Sequence, residues 1–364
     1  MEIGSEFWDV PLRDQEEIYI GRETQFVLSG RTALELAALD LIAERKIRSI
    51  CLPAYCCESM VIPFKKAGLK IQFYDVEPSE EGVHRSIRSD HGCDAVLLLD
   101  YFGFSQTETE EMAEREHKRG TAVILDRVQS EYSQSSSEKY ADYIVTSWRK
   151  WFFSCAAAVT KRSGVWNEKP LKAPHEQYVS LRKEAAGKKA AWIQTGSGSK
   201  QSFLDAYARA EGFLDKDFSD YAADPESEQV LHCLNVSLLK RRRRENAEVL
   251  YKELKDFDSG NIRPLFPELG TGDVPLFVPV LVDPALRSPL RQWLIDNQVY
   301  CPVHWPDPRT GGGAALYAQE LSLLCDQRYH KEEMKYQIQM IREFFIHHAR
   351  HILSAGIRKI EREH

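Results

Sequence analysis

The stretch that most constrains this 364-residue chain runs from Ala122 to Thr160. It holds the apolar run Ala122-Val123-Ile124-Leu125, which stops on Asp126. A second run, Tyr143-Ile144-Val145-Thr146, stops on Ser147-Trp148-Arg149-Lys150, and a third spans Ala156 to Thr160. Short β-branched runs bounded by polar residues read as buried strands of an α/β sheet. Ligands in such sheets sit beyond the carboxyl ends of the strands. Asp126 and Lys150 therefore stand where a site would be built.

The pair suits one cofactor. Pyridoxal phosphate needs a lysine for a Schiff base and an acid opposite its ring nitrogen. An aspartate keeps that nitrogen protonated, and the protonated ring drains electrons from a carbanion. Ser147, three residues before Lys150, is placed to hydrogen-bond the phosphate. A plainer reading stands beside this one: a strand-end aspartate capping a loop, and a surface lysine.

The length predicts two lobes. The formal net charge of −7 argues against a nucleic-acid partner. No apolar segment approaches a membrane span, and the first residues lack the basic and apolar regions of a signal peptide, so a cytoplasmic protein is expected. The eight cysteines form no C-x-x-C pair, which removes zinc-ribbon and thioredoxin readings. Several sit inside apolar runs and read as small core residues, and a reducing compartment fits.

Taken in order, Ser29-Gly30 precedes a helical pattern in which Leu34, Ala37, Ala38, Leu41 and Ile42 share a face. Ser29-Gly30 thus sits at an N-cap, which reads as a plain capped helix or, because a helix N-terminus is suited to anions, as a cradle for a phosphate. Strands are expected at 49–52, 70–74 and 94–99, with helices at 58–67 and 108–118, an alternation that means a mainly parallel sheet. From Lys161 to Ser202 the pattern weakens and reads as a long mobile loop. Helices are expected over 203–218 and 227–257. The basic run Lys240–Arg244 reads as a solvated helix paired to Glu245 and Glu248. Strands at 276–282 and 299–303, a helix at 290–296 and a last helix over 331–350 form a smaller α+β lobe, with Gly311-Gly312-Gly313 as a flexible link. His347, His348 and His351 read as a solvated tail, and no metal site is expected.

The motifs line up in order: Ser29-Gly30-Arg31-Thr32-Ala33-Leu34, Leu52-Pro53-Ala54-Tyr55, Tyr101-Phe102-Gly103, Leu125-Asp126-x-x-Gln129, Ser147-x-x-Lys150 and Val303-His304-Trp305-Pro306. From about residue 25 to 345 the chain resembles the DegT/DnrJ/EryC1/StrS family of pyridoxal-phosphate aminotransferases. The resemblance implies fold type I, with a large cofactor domain over 1–225, a small C-terminal domain over 226–364, and an extreme N-terminus that packs on the small one. Lys150 looks like the Schiff-base lysine, Asp126 the ring-nitrogen partner and Gln129 the support of the ring's hydroxyl side. Gly30, Arg31, Thr32 and Ser147 match the phosphate cradle. The stacking aromatic usual near Cys56-Cys57 is missing, which leaves Tyr55 or Tyr101 for that role.

The activity implied is amino transfer, from a donor such as glutamate to a keto sugar or related keto acceptor, in a homodimer whose sites are completed by the partner chain. Arg328 is expected to hold the donor's carboxylate, with His304 nearby; the alternative is that Arg328 pairs with Glu332 or Glu333. The family's Gly-Tyr-Asn-x-Arg segment is not recognisable around 213–229, so the acceptor site reads as remodelled. A different reaction on the same cofactor, or a non-catalytic homologue, are the competing readings.

Overall fold

The computed structural model describes residues 2–9, 23–257, 260–305 and 312–360, with side chains as far as 347. An eight-stranded sheet forms its centre. In spatial order the strands are Thr24–Val27, Ala157–Lys161, Tyr143–Ser147, Ala122–Asp126, Ala95–Leu99, Ser49–Pro53, Lys70–Ser79 and Gly82–Ser86. Those from Tyr143–Ser147 through Lys70–Ser79 run parallel, and the flanking pairings are antiparallel. Ala95–Leu99 and Ala122–Asp126 are buried at every position, which is why they read as unbroken apolar runs.

Register sets the site. Leu99 pairs with Asp126, and Asp126 pairs with Val145, so Asp126 ends the central strand. Ala157 pairs with both Ser147 and Val27. That shared partner brings Ser147 and the start of helix Gly30–Arg45 to the same edge of the sheet. A Cβ added to Gly30 would lie 3.6 Å from the Ser147 Cβ.

A second core gathers Leu250, Val280, Leu290, Leu321 and Ile338. It joins the antiparallel sheet Ile262–Pro264, Phe277–Val282 and Glu320–Leu324 to helices Val236–Lys255, Pro284–Asp296 and Lys331–Ile360. Ile3–Gly4 pairs in parallel with Val299–Tyr300 of this part, and Tyr329 Oη accepts from the Gly4 N–H at 2.8 Å. Residues 5–9 continue past helix Glu176–Thr195, where Lys189 Nζ donates to the Glu6 carbonyl at 2.6 Å. Among the described residues no helix is long and apolar enough to cross a membrane.

Several expectations need correction. Much of 161–202 is not a loop: Glu176–Thr195 and Lys200–Lys216 pack as a helical hairpin. Arg182 and Lys189 lie on its buried side, and charge there breaks the apolar period. The helix expected over 227–257 is two, Pro225–Leu231 and Val236–Lys255, because Asn235 caps a fresh start by accepting the Leu238 N–H at 2.8 Å. In the basic run Arg241 reaches Glu245 at 3.8 Å, but Arg243 is fully buried and donates to the carbonyls of Pro275 and Leu276. Gly311 and Pro306, and the side chains of His348 and His351, lie outside the described residues. Gly313 is no loose link: its φ is +94°, and an added Cβ would meet Tyr55 at 3.2 Å.

Candidate active site

A cavity of about 200 Å³ lies beyond the carboxyl ends of the parallel strands. Of the residues singled out in the sequence, Gly30, Arg31, Asp126, Gln129, Ser147, Lys150 and His304 line it.

Asp126 is buried, and its Oδ1 accepts the Val128 N–H at 2.8 Å. Burial pushes its carboxyl up to about 6, against the opposing pull of that hydrogen bond and of the Lys150 charge. A cationic N–H partner in the cavity would return it to the ionised state. Lys150 ends the 3-10 turn Trp148–Lys150 that follows its strand. It is exposed and lines the cavity, yet protein crowds it closely enough that desolvation, and then the neighbouring Arg149 charge, lower its pKa. That lowering is in the direction that a nucleophilic or proton-carrying amine requires.

The other end of the cavity suits an anion. Ser29 caps helix Gly30–Arg45 by accepting the Thr32 N–H. Among the described residues, Ser147 Oγ and Arg31 Nε are buried without a hydrogen-bond partner. An orphaned hydroxyl and guanidinium N–H beside a helix N-terminus fit a phosphate. Arg31 Nη1 is already held by Asp215 at 2.7 Å. Gln129 Oε1 accepts the Phe102 N–H at 2.8 Å, which fixes the side chain at the cavity wall.

Three predicted cofactor residues lie behind this lining. Thr32 is buried and donates to the Phe218 carbonyl at 2.7 Å. Tyr55 and Tyr101 are fully buried, and the Tyr101 hydroxyl donates to the Tyr55 carbonyl at 2.8 Å. The Tyr55 ring packs 5.0 Å from Trp305, and it is Trp305, with His304 and Phe277, that reaches the lining. The tyrosines are therefore supports of an aromatic wall rather than its exposed face. His304 Nδ1 lies 3.1 Å from Ser322 Oγ and 3.6 Å from Glu320 Oε1.

Arg328 is not in the cavity. Its Nε and Nη2 each meet Asp326 at 2.9 Å, and it donates to the Ser5 and Glu6 carbonyls at 3.3 Å. Phe7 and Trp8 lie against the guanidinium at 4.1 and 4.8 Å. Its partner is thus neither a substrate nor Glu332 or Glu333, but an acid two residues back in the same turn.

Val128, Arg149 and Leu214 also line the cavity, with no site expectation from the sequence. Arg149 stood beside the chosen lysine and carried the strongest signal. Leu214 comes from the helical hairpin, part of which reads as a loop in the sequence.

The fold is that of the fold type I pyridoxal-phosphate transferases. Among solved structures, Helicobacter pylori PseC, an aminotransferase involved in pseudoaminic acid biosynthesis, superimposes with a TM-score of 0.65 at 15% identity, over 94% of this chain and 99% of that one. A DegT DnrJ EryC1 StrS aminotransferase from Brucella abortus gives 0.59 at 14% identity, over 88% and 86%. Bacillus subtilis NtdA with bound cofactor PMP gives 0.57 at 15% identity, over 91% and 73%. No protein-family model and no curated protein matches the chain.

Proposed function

We propose that this chain is a pyridoxal-phosphate aminotransferase that moves an amino group from a donor such as glutamate to a keto acceptor, by its resemblance to the DegT/DnrJ/EryC1/StrS family a nucleotide-linked keto sugar. The observation that carries the reading is one cavity holding Lys150, Asp126 and the unpartnered Ser147 Oγ beside a helix N-terminus. The cofactor, when bound, supplies the electron sink that acidifies the substrate's Cα proton.

The chain's own residues supply the rest. Ser147, Gly30 and Arg31 would hold the phosphate. Asp126 would keep the ring nitrogen protonated, its carboxylate fixed by the Val128 N–H. Lys150, its pKa lowered, would anchor the cofactor and carry the proton between substrate carbons. Trp305 and Phe277 would exclude water from the reacting centre. The assembly proposed is a cytoplasmic homodimer, its large and small domains divided near residue 225.

A visible absorption band in the purified protein, discharged by glutamate and restored by a keto acid, tests the reading. Borohydride reduction and peptide mapping should place the cofactor on Lys150; recovery on Lys161 or another lysine would move the site. Light scattering at micromolar concentration tests the dimer, which a fully active monomer would exclude.

A further inference from the structure

The reaction proposed above leaves a group of charged side chains against the cavity wall unused. Arg149, which lines the cavity, donates to Glu211 Oε1 at 2.5 Å. Arg182 approaches the same oxygen at 3.8 Å and meets Glu6 Oε2 at 3.1 Å. Two guanidinium groups thus converge on one carboxylate oxygen. Burial alone would raise the Glu211 carboxyl, but Arg149 and then Arg182 hold it at about 2, so it is charged in this position.

Of the four side chains, Arg182 is the one fully enclosed. Side-chain exposure is 1% for Arg182 and 20% for Arg149, against 31% for Glu211 and 45% for Glu6. Arg182 stands one turn beyond Tyr178 on helix Glu176–Thr195. Although Tyr178 is fully buried, its Oη has no hydrogen-bond partner among the described residues, and neither have Arg182 Nε and Nη2. Three unpartnered donors beside two converging guanidinium groups call for an oxygen-rich acceptor. The planar fork of arginine matches a carboxylate or phosphate, and a hydroxyl adds a further donor.

We propose that Arg149, Arg182 and Tyr178 form an oxyanion subsite at the rim of the cavity, which takes a carboxylate or phosphate group of a substrate. Glu211 and Glu6 keep its place when no substrate is bound. Arg149 directly precedes Lys150, so an anion held there would set the rest of a small molecule against the lysine. The subsite stands on this geometry; its assignment to a substrate group rests on the proposed reaction. A donor's carboxylate and a nucleotide's phosphate share the chemistry, and two probes separate them.

The experiment is calorimetric titration of the purified protein with glutarate, which carries carboxylates but no amine, and with UDP. At least one should bind. Arg149→Gln and Arg182→Gln should each weaken that binding by about ten-fold or more, as expected for loss of a charge-assisted contact. Glu211→Gln, which removes the occupant's charge, should tighten it. Because the two kinds of substitution act in opposite directions, a general loss of folding cannot imitate the pattern, and Arg182→Lys gives a milder variant should the glutamine form not fold. Weakened glutarate binding alone assigns the donor carboxylate, and weakened UDP binding alone assigns the phosphate. Binding of neither probe, or equal affinity in every variant, overturns the subsite. The titration does not depend on the visible band, so a protein with this pattern and no band would reject the reaction while keeping the subsite.

Discussion

The Val128 N–H donates to Asp126 Oδ1 at 2.8 Å, so the carboxylate that ends the central strand is held by the turn that follows it. Asp126→Asn keeps an oxygen for that N–H and should preserve the fold. It removes the charge that would hold a protonated ring nitrogen, and turnover should fall about 100-fold or more, with cofactor affinity falling less. Near-normal turnover would take Asp126 out of the mechanism.

The same residue gives a pH signature in the cofactor-free protein. Burial raises its pKa from 3.8 to about 6, which penalises the charged folded form. Wild type therefore matches Asp126→Asn below about pH 4 and loses ground to it as pH rises toward 6. Above that the deficit levels off at roughly 3 kcal/mol. Denaturant titrations of both proteins across this range measure the gap. A gap that does not change with pH would mean that Asp126 is solvated.

Ser147→Ala separates binding from stability. Its Oγ is buried without a partner among the described residues, so the folded chain gains little from it, and the cofactor-free melting temperature should hold or rise. If the hydroxyl meets a phosphate, cofactor affinity should drop about ten-fold. Equilibrium dialysis with pyridoxal phosphate reads this directly; unchanged affinity would place the phosphate elsewhere.

The parts of the site legible in the sequence are those set by local signals. Asp126 and Ser147-x-x-Lys150 follow buried strands whose apolar runs mark their own ends, and Ser29 is a cap read from its neighbours. The parts that escaped depend on distant partners. Arg328 looks free in sequence, but its turn folds Asp326 onto it and residues 5–8 cover it. Tyr55 follows the right motif, but Tyr101, Trp305 and Tyr317 enclose its ring. The helical hairpin was obscured because buried charges, Arg182 and Lys189, occupy its inner face. Their partners include residue 6, which nothing in the local sequence links to them.

Arg328 should therefore behave as a structural residue. Arg328→Met leaves the buried Asp326 carboxylate unpaired and frees residues 5–8, at a cost of roughly 3–5 kcal/mol. Limited proteolysis should then cut near the N-terminus, where wild type resists. Measured on the folded fraction, donor binding should change far less than stability. A selective rise in the donor's apparent KM at unchanged stability would return Arg328 to the substrate site.

Lys189 offers the last test. It is fully buried, donates to the Glu6 carbonyl at 2.6 Å and lies 4.7 Å from the Trp8 ring centroid. Desolvation, and then the charge of Arg328, lower its pKa to about 7, against the opposing pull of Glu2, Glu6 and Asp326. In the unfolded chain a lysine titrates at about 10.4, so between these values the unfolded state carries a proton that the folded state lacks. Stability gained from this site must then rise with pH across that window, with a slope of up to about 1.4 kcal/mol per unit. Lys189→Met removes the titration, and subtracting its unfolding free energy from that of wild type cancels the other groups. The difference should be least favourable to wild type below about pH 7 and should improve steadily toward pH 10. A difference flat in pH would show that Lys189 keeps its proton, and that the Glu6 carbonyl and the Trp8 ring compensate for its burial.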